Sequence, residues 1–336
     1  MGKITIPEGY KSPQTIKDTE LLIKEVKDYF ERALARSMNL TRVSAPLFVK
    51  PESGLNDNLN GTERPVKFGI KEQGDAEVEI VHSLAKWKRF ALKKYGFVKG
   101  EGLYTDMSAI RRDEDTDNVH SIYVDQWDWE KIIDKAERNI YTLKETVDDV
   151  YRAMKDTEEH ICHMHSFIRP ILPEKISYIT SQELEDMYPD CTPKERENKI
   201  AKLKGAVYIM QIGGMLKSGE RHDGRAPDYD DWNLNGDIIV YYPVLDCALE
   251  LSSMGIRVDE AALTRQLKLA GCEERAELPF QKAVLNAELP YTIGGGIGQS
   301  RICMFFMRRA HIGEVQSSIW PDDVMKEAEA RGVNLL

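Results

Sequence analysis

The order of hydrophobic and polar positions predicts that helices and strands alternate along the chain. Apolar residues recur every four positions from Leu22 to Leu34, which predicts an amphipathic helix over about 16–38. The next segment, 40–48, alternates between apolar and polar residues. It contains Pro46, which cannot donate a backbone hydrogen bond, so we expect an edge strand or a strand at an interface.

The middle of the chain carries patterns for several short strands and for the longest helix. A loop rich in Asn and Gly is expected at 53–61. A helix that begins near His82 should end at Gly96, because glycine readily adopts the left-handed conformation that follows a helix. The other predicted elements are strands at 66–70, 78–81, 107–111 and 121–129, and a long helix from Ile132 to Met154.

The last third of the chain is predicted to contain strands and helices in mixed order. Thr192, Pro193 and Glu195 form a capping-box pattern with proline in the first turn, and Gly205 marks the end of that helix. Because helices and strands alternate irregularly, with hairpins, we predict one α+β domain with a large antiparallel or mixed sheet flanked by helices. The expected strands are at 206–212, 237–242 and 248–258, before two helical segments and a run of glycines.

The composition and net charge of the chain argue against some classes of binding partner. The 336 residues include 46 basic and 56 acidic side chains, a net charge of −10. This acidic excess disfavours broad binding to nucleic acid or to a membrane surface, because both require positive charge against phosphates. No apolar stretch approaches the ~20 residues that span a bilayer, and the N-terminus lacks a secretory pattern. We therefore expect a cytoplasmic protein with no nucleic-acid or membrane partner.

Cysteine and histidine residues do not form the pattern of a structural metal site. The five cysteines are far apart and include no C-x-x-C pair, which argues against structural zinc and disulfides and fits a reducing compartment. One cluster of possible ligands follows the long helical pattern, and a solvated helix end is its simpler interpretation. Its members are His160, Cys162, His163 and His165.

The glycine run at 294–298 precedes Arg301 and suggests an anion site. It is neither a Walker loop nor a dinucleotide fingerprint, because the required lysine and third glycine are missing. It predicts a strand-to-helix turn at which the backbone approaches another group closely. The N–H groups of a helix start and an arginine suit an anion. A tight turn with a surface arginine is the alternative.

A predicted hairpin carries a second group of polar residues. Arg111 ends its first strand, and the alternation of its second strand places Gln126 and Asp128 on one face. Burying several such groups is costly without partners, so either a polar ligand site or a structural salt bridge is expected.

Two further clusters leave similar alternatives. Asp237 and Glu250 lie on different predicted strands, with Ser253 nearby. Their oxygen atoms suit a hard cation such as magnesium. The alternative is that these acidic residues are simply exposed to solvent. The basic segment 86–89 suits either a pocket or a solvated helix face. No nucleophile-elbow pattern is present.

These motifs occur in a specific order. The helix leading into the Pro46 segment, the hairpin with Arg111 and the glycine-rich turn before Arg301 resemble the three motifs of class II aminoacyl-tRNA synthetase catalytic domains. Longer runs resemble the ammonia-dependent asparagine synthetases (aspartate–ammonia ligases), from about residue 12 onward. These runs are 57–59, 82–89, 100–105, 123–130, 225–232, 250–257 and 294–301. The chain is shorter than some relatives at 232–235 and matches poorly at 161–172.

The resemblance implies a reaction and an ATP site. Aspartate, ATP and ammonia would give asparagine, AMP and pyrophosphate through a β-aspartyl-adenylate. Arg111 would hold the α-phosphate, and Arg301 the ATP phosphates, with Gly296 in the same site. Asp237 and Glu250 would bind Mg²⁺, and together with Ser253 they would organise the triphosphate.

The resemblance also implies a pocket for aspartate. Aspartate carries two carboxylates and an ammonium group, so its pocket needs both cations and anions. The candidates are Asp57, Lys88, Gln126 and Asp128, with Ser83 as a weaker candidate. Asp57, Gln126 and Asp128 are alternatives for the contact with ammonia. The residues expected to be catalytic are Arg111, Asp57, Gln126 and Arg301.

The organisation implied by the resemblance is a single class II synthetase-like domain over 1–336, with 1–15 as an N-terminal extension. A homodimer is implied too, with the first helix and the Pro46 strand at its interface.

Three alternatives to this assignment fit the sequence less well. An aspartyl- or asparaginyl-tRNA synthetase would need an anticodon-binding domain, for which the first helix near residue 16 leaves no room. A catalytically silent paralogue should have lost ATP-binding residues, whereas Arg111, Asp237, Glu250 and Arg301 are all present. Glutamine-dependent synthesis is disfavoured because no cysteine lies near the N-terminus.

Overall fold

An eight-stranded sheet forms the framework of the computed structural model, which describes residues 4–57, 59 and 63–336. Within those residues the helices are α1 (Ile16–Met38), α2 (Ala85–Tyr95), α3 (Ile140–Met164), α4 (Ser181–Met187), α5 (Pro193–Lys204), α6 (Glu260–Ala270), α7 (Pro279–Leu285), α8 (Gln299–Met307) and α9 (Asp322–Arg331). The strands are β1 (Leu40–Arg42), β2 (Phe48–Val49), β3 (Lys67–Ile70), β4 (Ala76–Ile80), β5 (Gly102–Ile110), β6 (Tyr123–Ile132), β7 (Ser177–Thr180), β8 (Ala206–Met210), β9 (Asp230–Tyr242), β10 (Cys247–Arg257) and β11 (Thr292–Gly298).

The large sheet is mixed, with an antiparallel centre. Its strand order is β1-β5-β6-β11-β10-β9-β8-β7. The six central strands run antiparallel to their neighbours, whereas β1 and β7 join the two edges in parallel. A smaller antiparallel sheet has the order β2-β4-β3. This arrangement confirms the predicted α+β class.

Helix α1 covers one face of the large sheet, as its apolar spacing predicts. Leu22, Val26, Phe30 and Leu34 are buried on the side that packs toward the sheet, α3 and α8. The ring of Phe30 lies 4.9 Å from that of Trp127 in β6. The alternation of β6 therefore places its tryptophans in the core and leaves the opposite face of the strand for polar residues.

The segment 40–48 differs from the single edge strand that was predicted. Residues 40–42 form the edge strand β1 beside β5, whereas Phe48 belongs to β2 in the smaller sheet. Pro46 lies in neither strand. The segment divides because its two ends pair with different sheets.

The long helix begins later than its periodicity suggested. Ile132 ends β6, and α3 begins at Ile140 after the Asn139 cap, whose side chain accepts hydrogen bonds from the backbone N–H groups of Tyr141 and Thr142. Apolar spacing alone did not detect this boundary, because Ile132 is buried in the sheet. The other helix-end predictions are confirmed: Gly96 and Gly205 follow α2 and α5.

Part of the predicted Asn- and Gly-rich loop at 53–61, namely Asn58, Asn60 and Gly61, lies outside the described residues. Elsewhere in that loop Gly54 has a positive φ of 67°. In the described part of the chain, every helix is too short or too polar to span a membrane.

Candidate active site

A single cavity brings most of the predicted site residues together. Its volume is about 520 Å³. Ten of the eleven predicted residues line it: Asp57, Ser83, Lys88, Arg111, Gln126, Asp128, Glu250, Ser253, Gly296 and Arg301. The exception is Asp237, whose carboxylate is paired with Arg225, and Arg225 itself lines the cavity.

A row of paired residues crosses the sheet at this cavity. Asp128 of β6 is opposite Gly296 of β11, Gly296 is opposite Ser253 of β10, and Ser253 is opposite Asp237 of β9. Directly opposed residues of antiparallel strands share one face of the sheet. Three strand spacings separate Asp128 from Asp237 by about 14 Å.

The glycine run at 294–298 lies in β11, and its last residue, Gly298, is at the predicted strand-to-helix turn, where it precedes α8. Polar side chains of β6 explain why this strand needs glycine. A Cβ atom at Gly296 would lie 2.5 Å from Gln126 Oε1, and one at Gly294 would collide with the carboxylate of Glu130. The predicted close approach is thus made by side chains of the neighbouring strand.

Lys88 is held inside the cavity wall by α2. Its Nζ lies 2.7 Å from Asp128 Oδ1 and donates to the carbonyl of Gly295 at 3.1 Å. Both charged side chains are almost fully buried. The solvated-face alternative for segment 86–89 is therefore wrong: Lys86 and Arg89 are buried too, and Lys86 pairs with Asp228 at 3.2 Å.

Asp57 is a buried carboxylate with neutral hydrogen-bond donors. It is 2% exposed, and it accepts hydrogen bonds from the Ser83 hydroxyl at 3.0 Å and from the Leu59 N–H at 2.8 Å. Among the described residues no basic side chain forms an ion pair with it. A positively charged group from a ligand would complete its surroundings.

Arg111 and Arg301 are the two predicted anion-binding arginines that line this cavity. Arg111 follows β5, and its nearest carboxylate is that of Glu114, 3.9 Å from Nη1. Arg301 lies in the first turn of α8 and donates from Nη1 to the backbone carbonyl of Glu250 at 3.1 Å. The Glu250 carboxylate is 3.7 Å from the same atom. Neither guanidinium has a close bidentate carboxylate partner among the described residues, so both retain donors for phosphate.

Asp237 in β9 and Glu250 in β10 form an acidic pair in which ionisation of Asp237 is disfavoured. Burial raises the pKa of Asp237 to about 7, Arg225 opposes this shift, and the charge of Glu250 adds to it. A carboxylate in this state would be stabilised by additional positive charge.

A buried ion network includes two residues of the cavity lining, Asp230 and Arg257, for which the sequence predicted no role. Arg257 donates to Glu130 at 2.8 Å and also pairs with Asp230. Burial tends to raise the pKa of Glu130, but Arg257 and Lys88 outweigh it and hold this pKa below its ordinary value. The alternation of β6 already placed Glu130 on the same face as Gln126, so the signal was present. Arg225 begins the run 225–232 that resembles the family, so a signal was present for it as well.

The histidine cluster connects two helices and does not line the cavity. Glu25 of α1 lies 3.2 Å from His160 Nε2 and 2.9 Å from His165 Nε2. The His160 ring also stacks on Tyr29 at 4.1 Å. In the residues that the structure describes, no group of three or more His, Cys, Asp or Glu side chains is placed to hold a metal ion.

The fold is shared with class II aminoacyl-tRNA synthetases. An asparaginyl-tRNA synthetase from Pyrococcus horikoshii, solved with asparaginyl-adenylate, has a TM-score of 0.65 at 14% identity, covering 90% of this chain and 70% of that chain. A second from Entamoeba histolytica, also with asparaginyl-adenylate, has a TM-score of 0.63 at 12% identity, covering 90% and 66%. At these identities the likeness shows the fold, and it confirms the predicted class II synthetase-like architecture.

Sequence comparison identifies the family. The sequence model of the aspartate-ammonia ligase family matches residues 17–332. An aspartate–ammonia ligase from Clostridium perfringens is 64% identical over 336 residues, with 100% of both chains covered. One from Ruminiclostridium cellulolyticum is 63% identical with the same coverage. Since the family match and these full-length relatives both cover the chain, it belongs to the aspartate–ammonia ligase family.

Proposed function

We propose that this enzyme joins ammonia to the side-chain carboxylate of L-aspartate, using ATP and releasing AMP and pyrophosphate. The reaction would pass through a β-aspartyl-adenylate. The proposal is supported most directly by the row from Asp128 to Asp237, which links the candidate aspartate pocket to the candidate phosphate site across about 14 Å of sheet. An aspartyl group joined to AMP can extend along this row, over the side-chain-free Gly296.

One end of the row suits aspartate. Lys88 supplies a cation for a substrate carboxylate, while Asp57 and Asp128 supply anions for an ammonium group. Gln126 adds an amide, and Ser83 a hydroxyl, to the same cavity wall. Because Asp57, Lys88 and Asp128 are buried and held by hydrogen bonds, they would orient the substrate before reaction.

The other end suits ATP. As the β-carboxylate attacks, negative charge grows on the α-phosphate, and Arg111 would stabilise it. Arg301 would hold the remaining phosphates, with Ser253 and the Gly296 backbone beside them. No protein nucleophile is needed, since the carboxylate of the substrate performs the attack.

Magnesium fits the acidic pair of this site. Asp237 and Glu250 offer hard oxygen donors, and because burial raises the pKa of Asp237, added positive charge would stabilise its carboxylate. Two carboxylates leave most of an octahedral shell to water and substrate phosphates, as magnesium prefers. When bound, the ion would neutralise phosphate charge.

We further propose that the enzyme acts in the cytoplasm as a homodimer through α1 and the Pro46 segment (40–48), without a nucleic-acid or membrane partner. The net charge of −10 supports the absence of a broad phosphate-binding surface.

The deciding experiment measures AMP and asparagine with aspartate and ATP, with and without ammonium. Both products should appear in equal amounts and only with ammonium. Transfer of the amino acid to tRNA in place of asparagine formation would contradict the proposal. Release of ADP would contradict the adenylate intermediate and leave the ligase assignment intact.

A further inference from the structure

His82 is a buried histidine that the reaction described above does not use. It is 1% exposed and lines the cavity next to Ser83. Its backbone N–H donates to Asn56 Oδ1 at 2.8 Å, so its main chain is anchored. Its Nε2 is buried and has no hydrogen-bond partner within the part of the chain that the structure describes. A buried polar atom without a partner is costly and calls for an explanation.

The other ring nitrogen determines the protonation of Nε2. His82 Nδ1 lies 3.1 Å from the backbone carbonyl oxygen of Asp57. A carbonyl oxygen only accepts hydrogen bonds, so Nδ1 must carry a proton. In the neutral imidazole, Nε2 then holds a free lone pair. The Nε2 atom is therefore able to accept a proton from a ligand.

Asp57 contributes a carboxylate next to His82, and no cation among the described residues is paired with it. Its carboxylate is held by Ser83 and Leu59, which are neutral donors. Asp57 and His82 are 25 positions apart in the sequence, and the hydrogen bond from the imidazole to the Asp57 carbonyl connects them. An anion beside a neutral acceptor suits a small cation that has protons to donate, and ammonium is one.

Other titratable side chains in this part of the cavity are less suited to accept a proton. Lys88 and Asp128 neutralise each other in their ion pair. Burial raises the pKa of Tyr229 well above its ordinary value, so this residue stays protonated. Outside the cavity lining, Glu79 is bonded to Asn56 at 3.0 Å.

We propose that His82 is the catalytic base that takes a proton from ammonium at Nε2, with Asp57 holding the cation. This inference rests on the proposed function of the cavity. It also assigns Asp57 to ammonia and leaves Gln126 and Asp128 to aspartate.

Ammonium transfers one proton to Nε2 and becomes ammonia, whose lone pair forms the C–N bond to the β-carbonyl carbon of the adenylate. The bond from that carbon to the phosphate oxygen breaks, and its electron pair leaves on AMP. The second proton lost by nitrogen goes to the AMP phosphate, and imidazolium returns its proton to water after release.

Two variants separate the base from the other properties of the ring. In His82→Asn, the amide nitrogen can replace Nδ1 as donor to the Asp57 carbonyl, but nothing replaces Nε2. In His82→Gln, an amide near the Nε2 position can contact ammonium but cannot take its proton. His222→Asn is the matched control, because His222 is also buried with one unpartnered ring nitrogen and does not line the cavity.

Three assays are compared for each protein. Asparagine formation from ammonium should fall by about 10²-fold or more in both His82 variants, the usual contribution of a general base. Hydroxamate formation from hydroxylamine should stay near the wild-type rate, because hydroxylamine is already unprotonated at neutral pH. Aspartate-dependent exchange between ATP and pyrophosphate should also be preserved. His222→Asn should leave all three unchanged.

Equal loss of the ammonium and hydroxylamine reactions would overturn the proposal and give His82 a structural role. Ammonium activity near that of the wild type in either variant would overturn it too. If His82→Asn does not fold, His82→Gln decides the question. If neither folds, His82→Gly is assayed with added imidazole, and failure of imidazole to restore the ammonium reaction would overturn the proposal. Absence of exchange in the wild type would instead refute the adenylate mechanism.

Discussion

Lys88 Nζ and Asp128 Oδ1 lie 2.7 Å apart, and both side chains are buried in the cavity wall. Removing one partner of this ion pair should destabilise the folded protein, because the other charge would remain buried without compensation. The pair therefore connects the stability of the protein to its candidate aspartate pocket.

Lys88→Met should lower the free energy of unfolding by about 3–5 kcal/mol, because Asp128 is left buried and unpaired. Urea denaturation of the ligand-free protein measures this. The double variant Lys88→Met/Asp128→Leu should recover much of the stability but none of the asparagine synthesis. If the single variant is as stable as the wild type, the two charges are not paired as described.

Gly296→Ala should impair aspartate binding more than folding. The new Cβ would lie 2.5 Å from Gln126 Oε1, at the end of a flexible side chain that can move away. Displacing Gln126 should raise the KM for aspartate by about tenfold, equivalent to ~1.4 kcal/mol. Gly214→Ala is the control, because its Cβ would meet nothing within 4 Å. An unchanged KM would remove Gln126 from the aspartate pocket.

Arg111→Ala should slow aspartate-dependent pyrophosphate exchange by about 10²–10³-fold, as expected for loss of a donor to developing charge. The fold should be retained, because the guanidinium has no close ion-pair partner among the described residues. Thermal unfolding checks the fold, and Arg331→Ala, at an exposed helix end, is the control. Exchange at the wild-type rate would refute the role of Arg111 at the α-phosphate.

His311 should make the protein less stable in acid. Burial lowers the pKa of His311 to about 4, because its ring is packed against Trp320. The folded state therefore resists protonation, so this stability is present above pH 6.5 and lost as pH falls toward 4. The loss should reach about 3 kcal/mol.

The measurement compares unfolding by urea at pH 7 and pH 4 in the wild type and in His311→Asn. The Asn oxygen can still accept the hydrogen bond that Nδ1 receives from the Gly313 N–H at 3.0 Å. The variant should lose about 3 kcal/mol less between the two pH values. Equal losses would show that His311 does not titrate in this range.

Light scattering should give twice the mass of one chain, if α1 and the Pro46 segment (40–48) form a dimer interface. Leu21 lies on α1 and is 64% exposed in the single chain. Leu21→Glu should therefore weaken the dimer, because it would bury a charge in the interface. Leu269→Glu, at a position 62% exposed on α6, should not. A monomeric mass in an active preparation would refute the homodimer.

The sequence determined the local structure where one physical signal acted alone. Four-residue spacing in α1, two-residue alternation in β6 and the glycines after α2 and α5 were sufficient for those elements. The resemblance of ordered motifs also identified the fold class and ten of the residues that share the cavity. These features depend on neighbours in the chain or on motifs that can be compared directly.

Tertiary structure decided what depends on pairing between distant segments. The segment 40–48 divides between two sheets, and Ile132 belongs to a strand, because partners elsewhere in the chain outweigh local periodicity. Only the fold showed that Arg225 covers Asp237. Only the fold left His82 Nε2 unpartnered, since that requires the Asp57 carbonyl to occupy the other nitrogen of the ring. Hydrogen bonds and buried charges are satisfied across the folded chain, and a linear pattern does not contain those distances.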